Sequence, residues 1–172
     1  MNLGGRENFD ATPLMWSAAR GDLPELRRLL SEGLGIDEEN EHKQTALIYA
    51  ASAGNGNAVS LLLSGGAHIE HKDRHGCTAL IYAASRGHLN VVRELLVRGA
   101  DTEAKNNNDV TALMEAAANG HRDVVEALLQ RGANPKAEAA SGETALHFAT
   151  QEKHQDIIDL LLSKWSNRQP NS

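Results

Sequence analysis

The chain has 172 residues, of which 41% are hydrophobic but only 3% aromatic, so a core has to be built from Leu, Val, Ile and Ala. A formal charge of −6 argues against a general nucleic-acid or anionic-membrane surface, since both need a basic face. The single cysteine, Cys77, cannot form an internal disulfide, and no run of about eighteen apolar residues offers a membrane span. Neither does the N-terminus read as a secretory leader, and the expected setting is a reducing one, cytoplasmic or nuclear as well.

In chain order, residues 1–6 read as a short polar leader. Thr12-Pro13 then opens a helix: threonine caps the first N–H groups, and proline suits the first helical position. That helix stops at Gly21, and a second one carries Leu26, Leu29 and Leu30 before Gly33 ends it. The same series then returns at a fixed interval of 33 residues. Thr-x-Leu falls at Thr12, Thr45, Thr78, Thr111 and Thr144, and the first glycine at Gly21, Gly54, Gly87 and Gly120, with Lys153 in that column last. The second helix repeats as Val59/Leu62/Leu63, Val92/Leu95/Leu96, Val125/Leu128/Leu129 and Ile158/Leu161/Leu162. Each set forms one apolar stripe, and each unit buries its face only against neighbours.

The order Thr-Ala-Leu-x-x-Ala-Ala, Gly-His, Val-Val-x-x-Leu-Leu and Gly-Ala-Asp, as in residues 78–101, resembles the ankyrin repeat, whose period is also 33. Framed on Asp73, the copies run 7–39, 40–72, 73–105, 106–138 and 139–171. The resemblance implies an all-α solenoid of five helix–turn–helix units with hairpin-like fingers, and a binding surface on the inner helices and fingers. It implies no catalytic residue, no cofactor and no resident metal.

The connecting segments vary most. Only the third unit keeps the family's Asp-x-x-Gly turn, at 73–76. Asn40 with Lys43, and Asn106 with Asp109, stand there in the second and fourth units, so fingers of altered geometry are expected. The histidine usual after Thr-x-Leu remains only at His147. Met15, Ile48, Ile81 and Met114 replace it, which is expected to trade a polar contact for apolar packing. Lys153 should adopt a left-handed conformation, at a cost of about 1 kcal/mol. The last unit carries Gln151, Glu152, Gln155, Asp156 and Asp159, a polar outer side suited to a cap, with Trp165 closing its second helix and residues 167–172 forming a tail.

Three constellations invite chemistry. His68, His71 and His75 share one finger with Glu70, Asp73 and Cys77, and His42 stands in the column of His75. All are zinc-ligand types, but the spacing fits no closed site, and solvated turn histidines account for them. A metal-dependent or enzymatic module centred on residues 68–77 is the alternative reading of the chain. Cys77 precedes a helix start, where a thiolate is favoured, yet no general base or oxyanion site accompanies it. His88, His121 and His154 follow the glycine column and are read as structural.

The third constellation lies on helix one. At about 100° per residue, the alanines five and six after the threonine share the core side, while positions plus four, seven and eight lie on the opposite one. Plus four collects Trp16, Tyr49, Tyr82, Glu115 and Phe148, so four of the six aromatics stand in one column. Beside them lie Arg20, Ser52, Ser85, Arg86 and Asn119, and Arg74 and His75 at a finger tip. Aromatics and arginine gathered on a core-poor face are the composition of a binding surface. The same rings would also seal seams between adjacent helices. The expectation is a monomeric, non-enzymatic module (a scaffold, adaptor or inhibitor) holding an extended or helical segment of another protein, with no nucleic acid and no membrane as partner.

Overall fold

The computed structural model describes residues 11–166, with side chains to Lys164. The expected leader, the Trp165 ring and the tail lie outside the described residues. Ten helices follow one another in pairs: α1 Pro13–Arg20, α2 Leu23–Ser31, α3 Ala46–Ser52, α4 Gly56–Ser64, α5 Ala79–Ser85, α6 Leu89–Val97, α7 Ala112–Ala118, α8 Arg122–Gln130, α9 Ala145–Gln151 and α10 Gln155–Ser166. Odd-numbered helices pack on odd, and even on even, so two rows run side by side. Among the described residues there is no strand, only an isolated antiparallel bridge between Lys105 and Thr111.

The core is the seam between the rows. Ala50, Ala51, Ala83, Ala84, Ala116 and Ala117 are fully buried, which small side chains permit where helices approach closely. The even row buries more than the leucine stripe predicts. Ala58, Val91, Val124 and Ile157 are all at 1% exposure or less, one residue before the expected stripe, whereas Ile158 is half-buried and Leu162 is 47% exposed. Each unit thus presents one apolar column backward and one forward. In the first unit the backward position is Glu25, which pairs with Arg28 instead; that substitution makes the leading face polar.

Histidines staple each unit to the one before. His88 Nε2 lies 3.1 Å from the Ser52 carbonyl, His121 Nε2 3.0 Å from that of Ser85, and His154 Nε2 3.1 Å from that of Ala118. Asn55 does the same work in the second unit, its amide donating to the carbonyls of Ala18 and Ala19. These bonds supply donors to carbonyls at the ends of odd helices. They also explain the glycine column. A Cβ on Gly87 would sit 2.5 Å from His121 Nδ1, and one on Gly120 2.7 Å from His154 Cε1. Gly87 and Gly120 have φ of 73° and 76°, and Lys153, with φ 63°, is left-handed as its column requires.

The fingers correct one expectation. Their geometry is not altered by the missing Asp-x-x-Gly. Asn40, Asp73 and Asn106 each accept through Oδ1 from the backbone N–H groups two and four residues on, at 2.8–3.0 Å. Asparagine offers the same oxygen as aspartate, so the turn survives the exchange. Its last position is left-handed throughout: Lys43 at 58°, Gly76 at 75°, Asp109 at 57° and Gly142 at 83°. Adjacent tips are then zipped by one backbone bond each, from Arg74 N–H to His42 O (3.0 Å), Asn107 N–H to His75 O (2.9 Å) and Ala140 N–H to Asn108 O (2.9 Å).

The methionines correct another. The Thr12 and Thr111 amides donate to Met15 Sδ and Met114 Sδ at 3.4 and 3.5 Å, where the fifth unit uses His147 Nδ1 at 3.1 Å. A thioether is a weak acceptor, so the polar contact is weakened rather than lost. Only Ile48 and Ile81 replace it with pure packing.

Candidate functional site

The plus-four column stands where the odd row meets the fingers. Trp16 is 41% exposed, while Tyr49 and Tyr82 are half-buried. Their hydroxyls explain the difference. Tyr82 donates to Asp73 Oδ2 at 2.7 Å and accepts from Gln44 Nε2 at 3.2 Å; Tyr49 accepts from Asn40 Nδ2 at 3.2 Å. Each tyrosine is therefore a strut between its helix and the finger nine residues earlier, and Tyr82 also reaches the preceding finger. Asp73 itself is 5% exposed, so its two carboxylate oxygens are fully committed to the turn and the strut. Burial, followed by the hydrogen bond the hydroxyl donates to the Asp73 carboxylate, holds the Tyr82 phenol well above the ordinary range.

Between these struts opens a groove of about 450 Å³, lined by Ala19, Gln44, Ile48, Tyr49, Ser52, Ala53, Tyr82 and Arg86. Small side chains on α1 and α3 leave the space that the rings flank. Arg20 and Arg86 are exposed, and neither has an ion pair among the described residues. Further along the row, Ser85 Oγ donates to Glu115 Oε2 at 2.9 Å, and Asn119 Nδ2 to the Glu115 carbonyl at 2.8 Å. Of the residues singled out in the sequence, Tyr49, Ser52, Tyr82 and Arg86 share the groove. Ser85, Glu115 and Asn119 form a second cluster across α5 and α7. Trp16 and Arg20 lie on α1 outside the groove lining. Arg74 and His75 are exposed at a finger tip, where the His75 carbonyl belongs to the zip between fingers.

Gln44, Asn40 and Asp73 are missed by helical-wheel reasoning, which sees only helices. A signal for two of them was present: Asn40 and Asp73 each precede a plus-four tyrosine by nine residues.

The other constellations offer less chemistry. His68 and His71 meet edge-on with ring centroids 6.5 Å apart, and His71 Nε2 lies 2.9 Å from the Lys43 carbonyl. Among the described residues no three His, Cys, Asp or Glu side chains come together as a metal-holding set. The Cys77 thiol is pushed up, first by burial and then by the Asp73 charge, which opposes a nucleophilic thiolate. The acidic residues of the fingers are partly structural too. Asp37, Glu70 and Glu103 accept from the backbone N–H groups of His68, Asp101 and Asn134 in the next unit.

Paired helices, stapled fingers and a fixed repeat define a helical-repeat scaffold. The family model described as Ankyrin repeats (3 copies) matches residues 2–73, 68–139 and 95–172, and the chain belongs to the ankyrin-repeat family. Members of that family generally act as non-enzymatic modules that bind other proteins. No curated protein matches the chain. Among the described residues, no helix is long and apolar enough to cross a membrane.

Proposed function

We propose that this protein is a monomeric interaction module that holds a segment of a partner protein along the odd helix row and the fingers beside it. The observation that carries this reading is the groove between Tyr49 and Tyr82, where small side chains leave room next to two fixed rings. Rings locked by their hydroxyls lose little freedom on binding, which is the economy that makes aromatic anchors effective. Trp16, at 41% exposure, extends the apolar surface at one end.

A photo-crosslinking residue placed at Ser52 tests the reading against one placed at Arg93 on the even row. The expected result is a partner adduct from position 52 that disappears when Ala53→Trp fills the groove. Adducts from position 93 alone would move the binding surface to the other row and overturn the proposal.

A further inference from the structure

Several cations of this acidic chain are engaged by other parts of the array. Arg28 pairs with Glu25 and Glu32, Arg98 with Glu94, and Arg122 with Glu126 and Asp156. Lys72 and Lys105 donate to the carbonyls of Lys105 and Glu138 in the next unit, and Arg131 to that of Leu96. Arg86 differs. It lines the groove, is exposed, and has no carboxylate within ion-pair distance among the described residues. One helix along the row, Glu115 offers the opposite charge, its carboxylate fixed by Ser85 Oγ at 2.9 Å.

Resting on the reading of the groove as a protein-binding site, we infer that the occupant is an extended peptide segment of mixed charge. An acidic side chain of the segment faces Arg86, and a basic one faces Glu115. An apolar side chain enters the space beside Tyr49 and Tyr82. Arg86 caps α5 and Glu115 lies on α7, so a segment that meets both crosses the row, as an extended chain does in a few residues. Packed helices lie about 8–10 Å apart and an extended chain rises about 3.3 Å per residue with side chains alternating in face, so acid and base stand about two or four residues apart. A cation and an anion held separately on one row select for order as well as composition, because the reversed segment meets like charge at both ends.

The test selects displayed random 12-residue peptides on the full chain and titrates the synthetic consensus by fluorescence anisotropy. The variants are Arg86→Glu, Glu115→Gln, which keeps an acceptor for Ser85, and Ala53→Trp, which fills the groove. The expected consensus carries an acid and a base about two or four residues apart. Its binding falls about tenfold in Arg86→Glu and about threefold in Glu115→Gln, weakens in high salt, and is lost in Ala53→Trp. A peptide whose acid is replaced by a base should regain affinity for Arg86→Glu. Loss in Ala53→Trp with no response to Arg86→Glu, or to Glu115→Gln, overturns the charge assignment and leaves the groove reading standing. No groove-dependent peptide at all overturns both. Displacement by a mixed-sequence single-stranded oligonucleotide in an Arg86-dependent manner would make the occupant a nucleic acid and refute the inference.

Discussion

Gly120→Ala probes the joint between the last two helical pairs. Gly120 has φ 76°, and a left-handed alanine costs about 1 kcal/mol. Its new Cβ would also stand 2.7 Å from His154 Cε1, so the imidazole has to turn away. That movement breaks the 3.1 Å contact from His154 Nε2 to the Ala118 carbonyl, worth about 1 kcal/mol. The sum is about 2 kcal/mol, or a fall of about 4–8 °C in melting temperature for a chain of this size. In a His154→Ala background the obstacle and the hydrogen bond are both gone, and only the backbone part remains. Gly120→Ala should then cost about 1 kcal/mol, leaving a coupling of about 1 kcal/mol in the double-mutant cycle. Urea unfolding of the four proteins measures this directly, and hydrogen exchange of α10 amides should show where the loosening occurs. Strict additivity would refute the argument, because it would mean that the ring never limits the glycine.

Lys153→Gly should stabilise the last pair by at most about 1 kcal/mol, less whatever glycine adds to the unfolded chain's entropy; faster exchange in α10 would contradict this. Tyr82→Phe leaves Asp73 one donor short at 5% exposure and should cost about 1–2 kcal/mol, with exchange rising first in finger residues 73–77. Cys77 and Tyr82 both have folded-state values raised above the ordinary ones. Their contribution is therefore full below the normal thiol range and lost as pH rises through the raised values, so Cys77→Ala should flatten the alkaline decline in stability near the thiol limb. Alkylation of Cys77 at mild alkaline pH should be slower than that of a free thiol for the same reason. A chelator should leave the melting temperature unchanged; a drop of several degrees would revive His68, His71 and His75 as ligands.

The repeat was legible because stacking imposes the same demand at every step. Five threonines and four glycines at one interval require no structure to interpret. The left-handed Lys153 was legible for the same reason, since a column passes its backbone conformation to whichever residue occupies it. What the pattern hid is contact between columns. Nothing in a helical wheel links Asp73 to Tyr82, or His121 to Gly87, because those partners lie on different elements. The finger geometry was misjudged because residue names were compared instead of the atom that matters, the Oδ1 shared by Asn and Asp. The Ala58, Val91, Val124 and Ile157 column was missed because Ala58 dilutes it and the leucine pair next to it is louder. In the groove, the rings were visible in the sequence, whereas their hydroxyl tethers and Gln44 were not.

The staples that bind one unit to the next all reach back by a constant offset, 36 residues from His88 to Ser52, from His121 to Ser85 and from His154 to Ala118. The finger zip and the Lys72 and Lys105 bonds keep a fixed stride as well. A gene that duplicates or deletes one whole unit therefore hands each of these donors an equivalent backbone acceptor, and none of these bonds is orphaned by the event. A deletion of any other length shifts all later partners at once. The bonding pattern itself acts as a reading frame for length, confining heritable growth of the array to whole units and making the number of rungs along the row easier to change than the spacing between them.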